Sequence, residues 1–328
     1  LYFTELVIHG LKVKLTSRNH HYIPQFYLRG FTPAMKKKSP ITVFDFDQKK
    51  MFRTNTLNVC GNRDFNRIDF EGTNPNAIEE IYSGFESKAA NSIRELEKGA
   101  PFCGENRDII FNLIALLAVR SPQLREKLRE AHEVSLKALI DLILSNEKNW
   151  ESTKSKMIEN GRSIDVGTTY AEVKCCQEKN EYKIILDNNY NIKSELESMD
   201  AVLQSLPKRN WVLIKSQKVD EHFITSDNPV VLDNFKIPKE KNFYENLVGF
   251  ELSNTNVMFP LTKNLLLLGS YYLKEGTIQA DRASMASLNR IVFNHAYKQL
   301  YAPASTFLIY DYLGKISTGE KFLAFESK

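Results

Sequence analysis

Ile109-Ile110-Phe111-Asn112-Leu113-Ile114-Ala115-Leu116-Leu117-Ala118-Val119 runs between Asp108 and Arg120, and its reading decides the kind of chain this is. It is well short of the roughly 18 consecutive apolar residues of a membrane span. It therefore reads as core, a helix from about Asn106 to Arg120 buried inside a folded body. Ser121-Pro122 follows at once, an N-cap residue and a first-turn proline that open another helix, to about Ser145. Leu124, Leu128, Ala131, Val134, Ala138 and Leu142 recur there at helical spacing. Upstream, Asn74-Pro75 starts a helix from Ala77 to about Lys98, ended by Gly99, with Ile78, Ile81, Phe85 and Ala89 near one face. These three predict a central helical layer over residues 76–146.

Outward of that layer the pattern changes to strands. Ile41 to Phe46, a turn at Gln48-Lys49-Lys50, and Met51-Phe52-Arg53 read as a hairpin. Residues 150–190 are polar and lysine-rich and read as an irregular insertion. A helix resumes from Ile192 to Leu206. Short strands are expected at Trp211–Ile214, His222–Thr225, Val230–Leu232, Asn256–Phe259, Leu265–Leu268 and Phe307–Tyr310, with a helix from Arg282 to Ala296. Strands at both ends and helices between them predict an α+β fold, with short N-terminal and C-terminal strands packed with the central helical layer. The expected organisation is a single compact domain over 1–328, with a basic region at 1–70 and a strand-rich part at 192–328.

The 328 residues are 42% hydrophobic and 26% charged, values that suit a globular chain with a real core. The four cysteines, Cys60, Cys103, Cys175 and Cys176, lack the spacing of a zinc site or a disulfide scaffold. Free thiols and the lack of a basic-then-apolar leader predict a cytoplasmic protein without a membrane partner. The net charge of +4 is unevenly spread: residues 1–70 hold twelve Lys/Arg against five Asp/Glu, and the remainder is net acidic. A basic region favours an anionic partner, nucleic acid or another phosphate-containing ligand.

That region contains Asn19-His20-His21-Tyr22-Ile23-Pro24-Gln25-Phe26-Tyr27-Leu28-Arg29-Gly30-Phe31. Pro24 holds Ile23 extended and suits the first position of a short helix that Gly30 could end. In an extended segment, successive side chains point to opposite faces, so His20 and His21 do not share one metal. One imidazole faces the site as base or ligand and the other packs behind it. Two satisfied histidines beside an aromatic cluster is the competing reading.

Further chemistry is expected at Arg120 and Arg125, whose guanidinium forks match phosphate oxygens. An interaction of Arg120 with the helix dipole would serve equally. Asp227, in Ser226-Asp227-Asn228-Pro229, sits at a strand end where it could orient an imidazole or bind metal, or close an Asx-type turn. Asn289, Arg290, Asn294 and His295 on the late helix read as groups that hold loops. The phosphate-loop, dinucleotide-fold, nucleophile-elbow and His-Glu-x-x-His signatures are absent, so no nucleotide cofactor is expected.

With these segments in hand, the chain resembles a family of mostly bacterial proteins known as a domain of unknown function. That family is marked by His-His-Tyr-x-Pro-Gln-Phe-Tyr-Leu, here His20 to Leu28. Arg120-Ser121-Pro122, Trp211, Ser226 to Pro229 and Pro260-Leu261 follow in the same order over roughly residues 18–312. The resemblance implies a family and no reaction. His20 to Pro24 also resembles, more weakly, the metal-site segment of HNH-type nucleases, with Asn55, Asn58 and Asn62 as candidate partners, but no bracing Cys pair and no second nearby histidine.

The resulting expectation is a His-dependent nuclease or phosphodiesterase, assisted by a divalent metal such as Mg²⁺ or Mn²⁺, in the setting of a toxin or phage-defence effector. His20, His21, Gln25 and Asp227 form the candidate catalytic set; Tyr22, Arg29, Arg120, Arg125 and Asn228 the substrate-binding set. The alternatives are a sensor or scaffold module that binds an anionic small molecule, or another hydrolase or transferase.

Overall fold

The computed structural model describes residues 19–67, 74, 77–161, 167–184, 188–234 and 247–326. Along the chain these form β1 (Asn19–His21), α1 (Gln25–Arg29), β2 (Ile41–Asp45), β3 (Lys50–Thr54), β4 (Gly61–Arg63), α2 (Ala77–Glu97) and α3 (Gly104–Val119). Next come α4 (Pro122–Ile143), α5 (Glu147–Glu159), α6 (Tyr170–Glu178), α7 (Asn188–Ser205), β5 (Asn210–Ser216), β6 (Thr225–Ser226) and β7 (Val231–Asp233). The last third adds β8 (Asn256–Pro260), β9 (Leu265–Ser270), β10 (Gly276–Ala280), α8 (Arg282–His295), β11 (Gln299–Ala302), β12 (Leu308–Tyr310), β13 (Ile316–Thr318) and α9 (Gly319–Glu326). The fold is α+β. Pro75, the expected start of α2, lies outside the described residues.

Two compact units emerge, one from residues 1–121 with 192–328, the other from 122–191. In the first, a five-stranded sheet has the order β10-β5-β9-β8-β7 and a four-stranded sheet the order β3-β2-β11-β6. Only β10 runs parallel to its neighbour in the larger sheet. In the smaller one, the expected N-terminal hairpin pairs with β11, Val43 opposite Tyr301, so strands from both ends of the chain share one sheet. Both sheets close on α8: Met285, Ala286 and Val292 belong to one buried cluster with Ile214, Leu266 and Leu268, and with Phe44 and Leu300. Asp281 caps this helix, its Oδ1 accepting from Ser284 N at 2.8 Å.

α2 packs on α3, whose apolar run is buried as read from the sequence. The third helix of the expected layer departs from expectation. α4 falls in the other unit and buries none of its residues. Val134 and Leu142 are largely exposed. Charge pairs hold its surface instead, Arg129 with Glu126 and Glu133, and Lys137 with Glu133. Residues 150–190 also differ from the irregular insertion expected. Asn146 caps α5, and Thr169 with Glu172 forms a reciprocal capping box that starts α6. Within this unit the side-chain amide of Gln177 donates to Asp141 at 2.7 Å, and Tyr170 Oη donates to Leu144 O at 3.0 Å.

β10, β11 and β13 were not anticipated, nor was α9. β10 exposes four of its five residues, so it carries no buried alternation to read. Trp211 sits opposite Gly269 across β5 and β9. A Cβ on Gly269 would lie 2.8 Å from the indole. Gly269→Ala is therefore expected to destabilise the fold by about 1–3 kcal/mol through overpacking, read from the urea midpoint with unchanged slope.

Candidate functional site

The His segment is positioned by backbone pairing first. β1 runs antiparallel to β4 with His20 opposite Asn62 and His21 opposite Gly61, and Tyr22 N continues the pairing to Cys60 O at 2.9 Å. Alternation along the strand then separates the imidazoles. His20 is buried, 1% exposed, and its Nδ1 accepts from Asn66 N at 2.9 Å. Because Nδ1 accepts, the proton of the neutral ring sits on Nε2, which is buried and has no partner among the described residues.

His21 faces the other way. Its Nε2 lies 3.2 Å from Leu57 O, an acceptor only, so Nε2 carries the proton and Nδ1 keeps a lone pair. Partial burial holds the ring's pKa below 6.5, against the raising influence of that hydrogen bond and of Glu79. The imidazole is neutral at pH 7.

Pro24 precedes α1 as its capping residue rather than its first helical one. α1 is pinned by Tyr27, whose hydroxyl donates to Pro260 O at 2.7 Å and lies 2.8 Å from Thr225 Oγ1. The Tyr27 ring stacks on Phe259, with centroids 5.4 Å apart. At the helix end, a Cβ on Gly30 would press Tyr27 O at 3.0 Å and Leu261 O at 3.3 Å, so glycine permits the close approach to Pro260-Leu261. With Tyr27 and Leu28 turned inward, Gln25, Phe26 and Arg29 are left facing a polar cleft of about 530 Å³ that His21 also lines. Arg29 Nη2 donates to Gln25 Oε1 at 3.3 Å, and its Nε is buried without a partner among the described residues.

The opposite wall is one face of α2. Glu79, Ser83, Glu86, Ala90 and Arg94 line the cleft at successive helical turns. Burial pushes the Glu86 carboxyl above 4.5; Glu79 adds to that shift, while Arg120 and Arg29 oppose it. Behind this wall lies Arg120, whose side chain is 1% exposed. Its Nη2 donates to His21 O at 2.6 Å and stands 3.5 Å from Glu79 Oε1, and its guanidinium covers the Tyr82 ring at 4.4 Å. Asn66 Nδ2 donates to the same Glu79 oxygen. Arg120 Nε and Nη1 are buried and unpartnered among the described residues.

The structure thus brings His21, Gln25 and Arg29 together, with His20 and Arg120 directly behind. It does not bring Asp227. That carboxylate accepts from three consecutive backbone groups, Tyr297 N at 2.9 Å, Lys298 N at 2.7 Å and Gln299 N at 3.1 Å. It clasps the entry to β11, so the expected base-orienting or metal-binding role is replaced by a structural one. Burial raises its pKa and the backbone donors work against that.

Asn228 is likewise local: its Nδ2 donates to His295 O at 3.1 Å and its N–H to Ser226 Oγ at 3.1 Å. Tyr22 packs on Phe65, with centroids 5.8 Å apart, and does not line the cleft. Arg125 belongs to the other unit. Asn55 caps the short turn 56–58 and Asn58 donates to Thr54 Oγ1 at 2.9 Å, so neither serves the cleft. Asn289 holds loops as anticipated, donating to His222 O and Leu308 O at 2.9 Å each. Among the described residues, no three His, Cys, Asp or Glu side chains are grouped to hold a metal.

Glu79, Glu86 and Arg94 escaped the sequence reading, which followed only the apolar face of α2. Their signal was present as a polar stripe at the same helical spacing.

Comparison with known proteins gives one match. The family described as "Protein of unknown function (DUF4238)" matches residues 19–306. No curated protein matches, and no solved structure matches. Among the described residues, no helix is long and apolar enough to cross a membrane.

The two histidines should separate in a stability measurement. His20→Ala strands the buried Asn66 N–H and is expected to cost about 1–3 kcal/mol in chemical denaturation, whereas His21→Ala stays within about 0.5 kcal/mol. Glu86→Gln is expected to raise stability at pH 7. The wild-type carboxyl has a folded pKa above its unfolded value, so its favourable contribution is complete below pH 4.5 and lost as pH rises through the folded pKa. The gain from the substitution should therefore vanish as the pH is lowered toward 4.5, in melts recorded across that range.

Proposed function

We propose that this chain, which belongs to the DUF4238 family of proteins of unknown function, is a phosphodiesterase acting on nucleic acid or a related phosphate ester, with His21 as its base. The observation that carries the reading is the His21 imidazole, neutral and with Nδ1 open, in a cleft flanked by Arg29 and Arg94. Two guanidinium groups on the cleft walls, Arg29 and Arg94, support an anionic occupant. Guanidinium forks match phosphate oxygens in charge and geometry.

In the proposed step, His21 Nδ1 takes a proton from a water as its oxygen forms a bond to phosphorus. Arg29 and Arg94 hold the non-bridging oxygens and offset the charge that develops on them. Glu86, its carboxyl raised by burial, gives its proton to the leaving ester oxygen as the phosphorus–oxygen bond breaks. Gln25 orients Arg29 through its side-chain oxygen. Mg²⁺ or Mn²⁺ is an addition whose contribution the assay must measure. A toxin or phage-defence effector is the biological setting we propose for such an activity.

Purified full-length chain, incubated with single-stranded DNA, RNA and bis(p-nitrophenyl) phosphate in Mg²⁺, Mn²⁺ or EDTA, tests the proposal. His21→Ala is expected to slow turnover by about 10²–10⁴-fold with melting unchanged. The rate should rise with pH as His21 loses its proton below 6.5 and fall as Glu86 ionises above 4.5, placing the optimum on the acid side of neutrality. Glu86→Gln should remove the falling limb. Wild-type inactivity on every substrate would end the phosphodiesterase reading, and phosphate binding without turnover would favour a sensor of anionic small molecules.

A further inference from the structure

The His21 cleft is longer than a phosphate group needs. Arg120 fixes one end by joining His21 O to Glu79 at the start of α2. Thr262 fixes the other: it donates to Glu97 at the end of α2 and sits against Gly30, just past α1. α1 therefore lies along α2. At about 1.5 Å per residue, the lining stretch from Glu79 to Arg94 extends over about 22 Å. The cleft volume of about 530 Å³ is that of a small-molecule site, for which about 300–1,000 Å³ is usual.

Phe26 stands on the wall that Gln25 and Arg29 also form. Helical geometry places positions 25, 26 and 29 on one side of α1, opposite the buried Tyr27 and Leu28. The Phe26 ring is half-buried and, unlike Tyr27 on Phe259, makes no ring contact with a described residue. Across the cleft, Ser83, Ser87 and Asn91 recur every four residues along α2, all exposed. The Asn91 amide carries a donor and an acceptor, the combination that matches the edge of a base. An open aromatic face and edge-reading polar groups in one cleft are what a nucleobase requires.

Charge sets the length of the ligand. Arg29 and Arg94 are offset by Glu79 and Glu86 on the same walls. Long nucleic acid is held by an excess of cations that displaces many counterions, and the cleft lining has no such excess. Two guanidinium forks suffice for one or two phosphates. A duplex does not fit either, because a base stacked on both faces cannot lie against Phe26.

We propose that the occupant of this cleft is a short nucleotide diester, one or two nucleotides long, whose base stacks on Phe26 while its phosphate meets Arg29 and Arg94. This names the substrate class for the phosphodiesterase reading of the same cleft and rests on that reading.

Titration calorimetry on the full chain in EDTA, with adenosine 5′-monophosphate, ribose 5-phosphate and adenosine, reads binding without turnover. The nucleotide is expected to bind at least about fivefold more tightly than either fragment. Phe26→Leu should bring it to within about twofold of ribose 5-phosphate, and Arg94→Gln should bring it toward adenosine. For a long oligoadenylate, the slope of log affinity against log salt should not exceed about 1.4 in magnitude, the value for two phosphates. The proposal is overturned by no saturable binding of the nucleotide, by ribose 5-phosphate binding as tightly, by a folded Phe26→Leu protein that keeps the preference, or by a steeper salt slope. If Phe26→Leu does not fold, the fragment ranking and the salt slope decide. Equal binding of nucleotide and ribose 5-phosphate would sink this inference and leave the phosphodiesterase reading standing. A nucleotide preference without turnover of any diester would sink that reading and leave a nucleotide site.

Discussion

Arg120 ties the His segment to the helices. Its guanidinium, placed just past the end of α3 by that helix's buried apolar run, reaches back to the carbonyl of His21 and to the carboxylate of Glu79 on α2. One side chain therefore fixes the strand that bears the imidazole and the helix that faces it. A buried guanidinium is expensive to desolvate, and removing a partner from such a pair costs about 3–5 kcal/mol, so the three elements are constrained to move together. Only part of the fork is used. The fold accepts a cation with idle donors, a condition that natural proteins tolerate mainly where a ligand or water completes the set.

The consequence for chemistry is a division of labour between adjacent histidines. β1 is only three residues long, yet its alternation sends His20 into the protein and His21 into the cleft. His20 braces the turn at Asn66, which also reaches Glu79, while His21 is held neutral by burial with one nitrogen uncommitted. Glu86 is shifted in the opposite sense across the same cleft. Two titrating groups pushed toward each other's range is the arrangement that acid–base catalysis needs.

Much of the fold was legible because it followed strong periodicity. The apolar run of α3, the β2–β3 hairpin, α8 and the strands β5, β7, β8 and β9 of the larger sheet have apolar runs or clear alternation. What was not legible depended on local capping or on edges. α5 and α6 have little buried surface and start from caps in a polar stretch, and β10 is an exposed strand whose partner β5 is distant in sequence. α4 looked amphipathic, yet is held by charge pairs. At the site, the opposition of His20 and His21 followed from strand geometry alone, and Gly30 and Pro24 marked the ends of α1. The carboxylate was misplaced. Asp227 sits at a strand end, as read, but that same corner offers three free backbone donors that claim both of its oxygens, a tertiary fact with no trace in the local sequence. The acids that face His21 stand on α2, where attention to the apolar stripe concealed the polar one.

The most direct test of this account is the side-chain ¹⁵N–¹H correlation spectrum of the histidines at neutral pH and through an acid titration. Both His20 and His21 should carry their proton on Nε2, and the His21 ring should remain neutral until the pH falls below 6.5. A His21 ring protonated on Nδ1, or one that becomes cationic at or above 6.5, would contradict the claim that the fold holds an open base at the cleft.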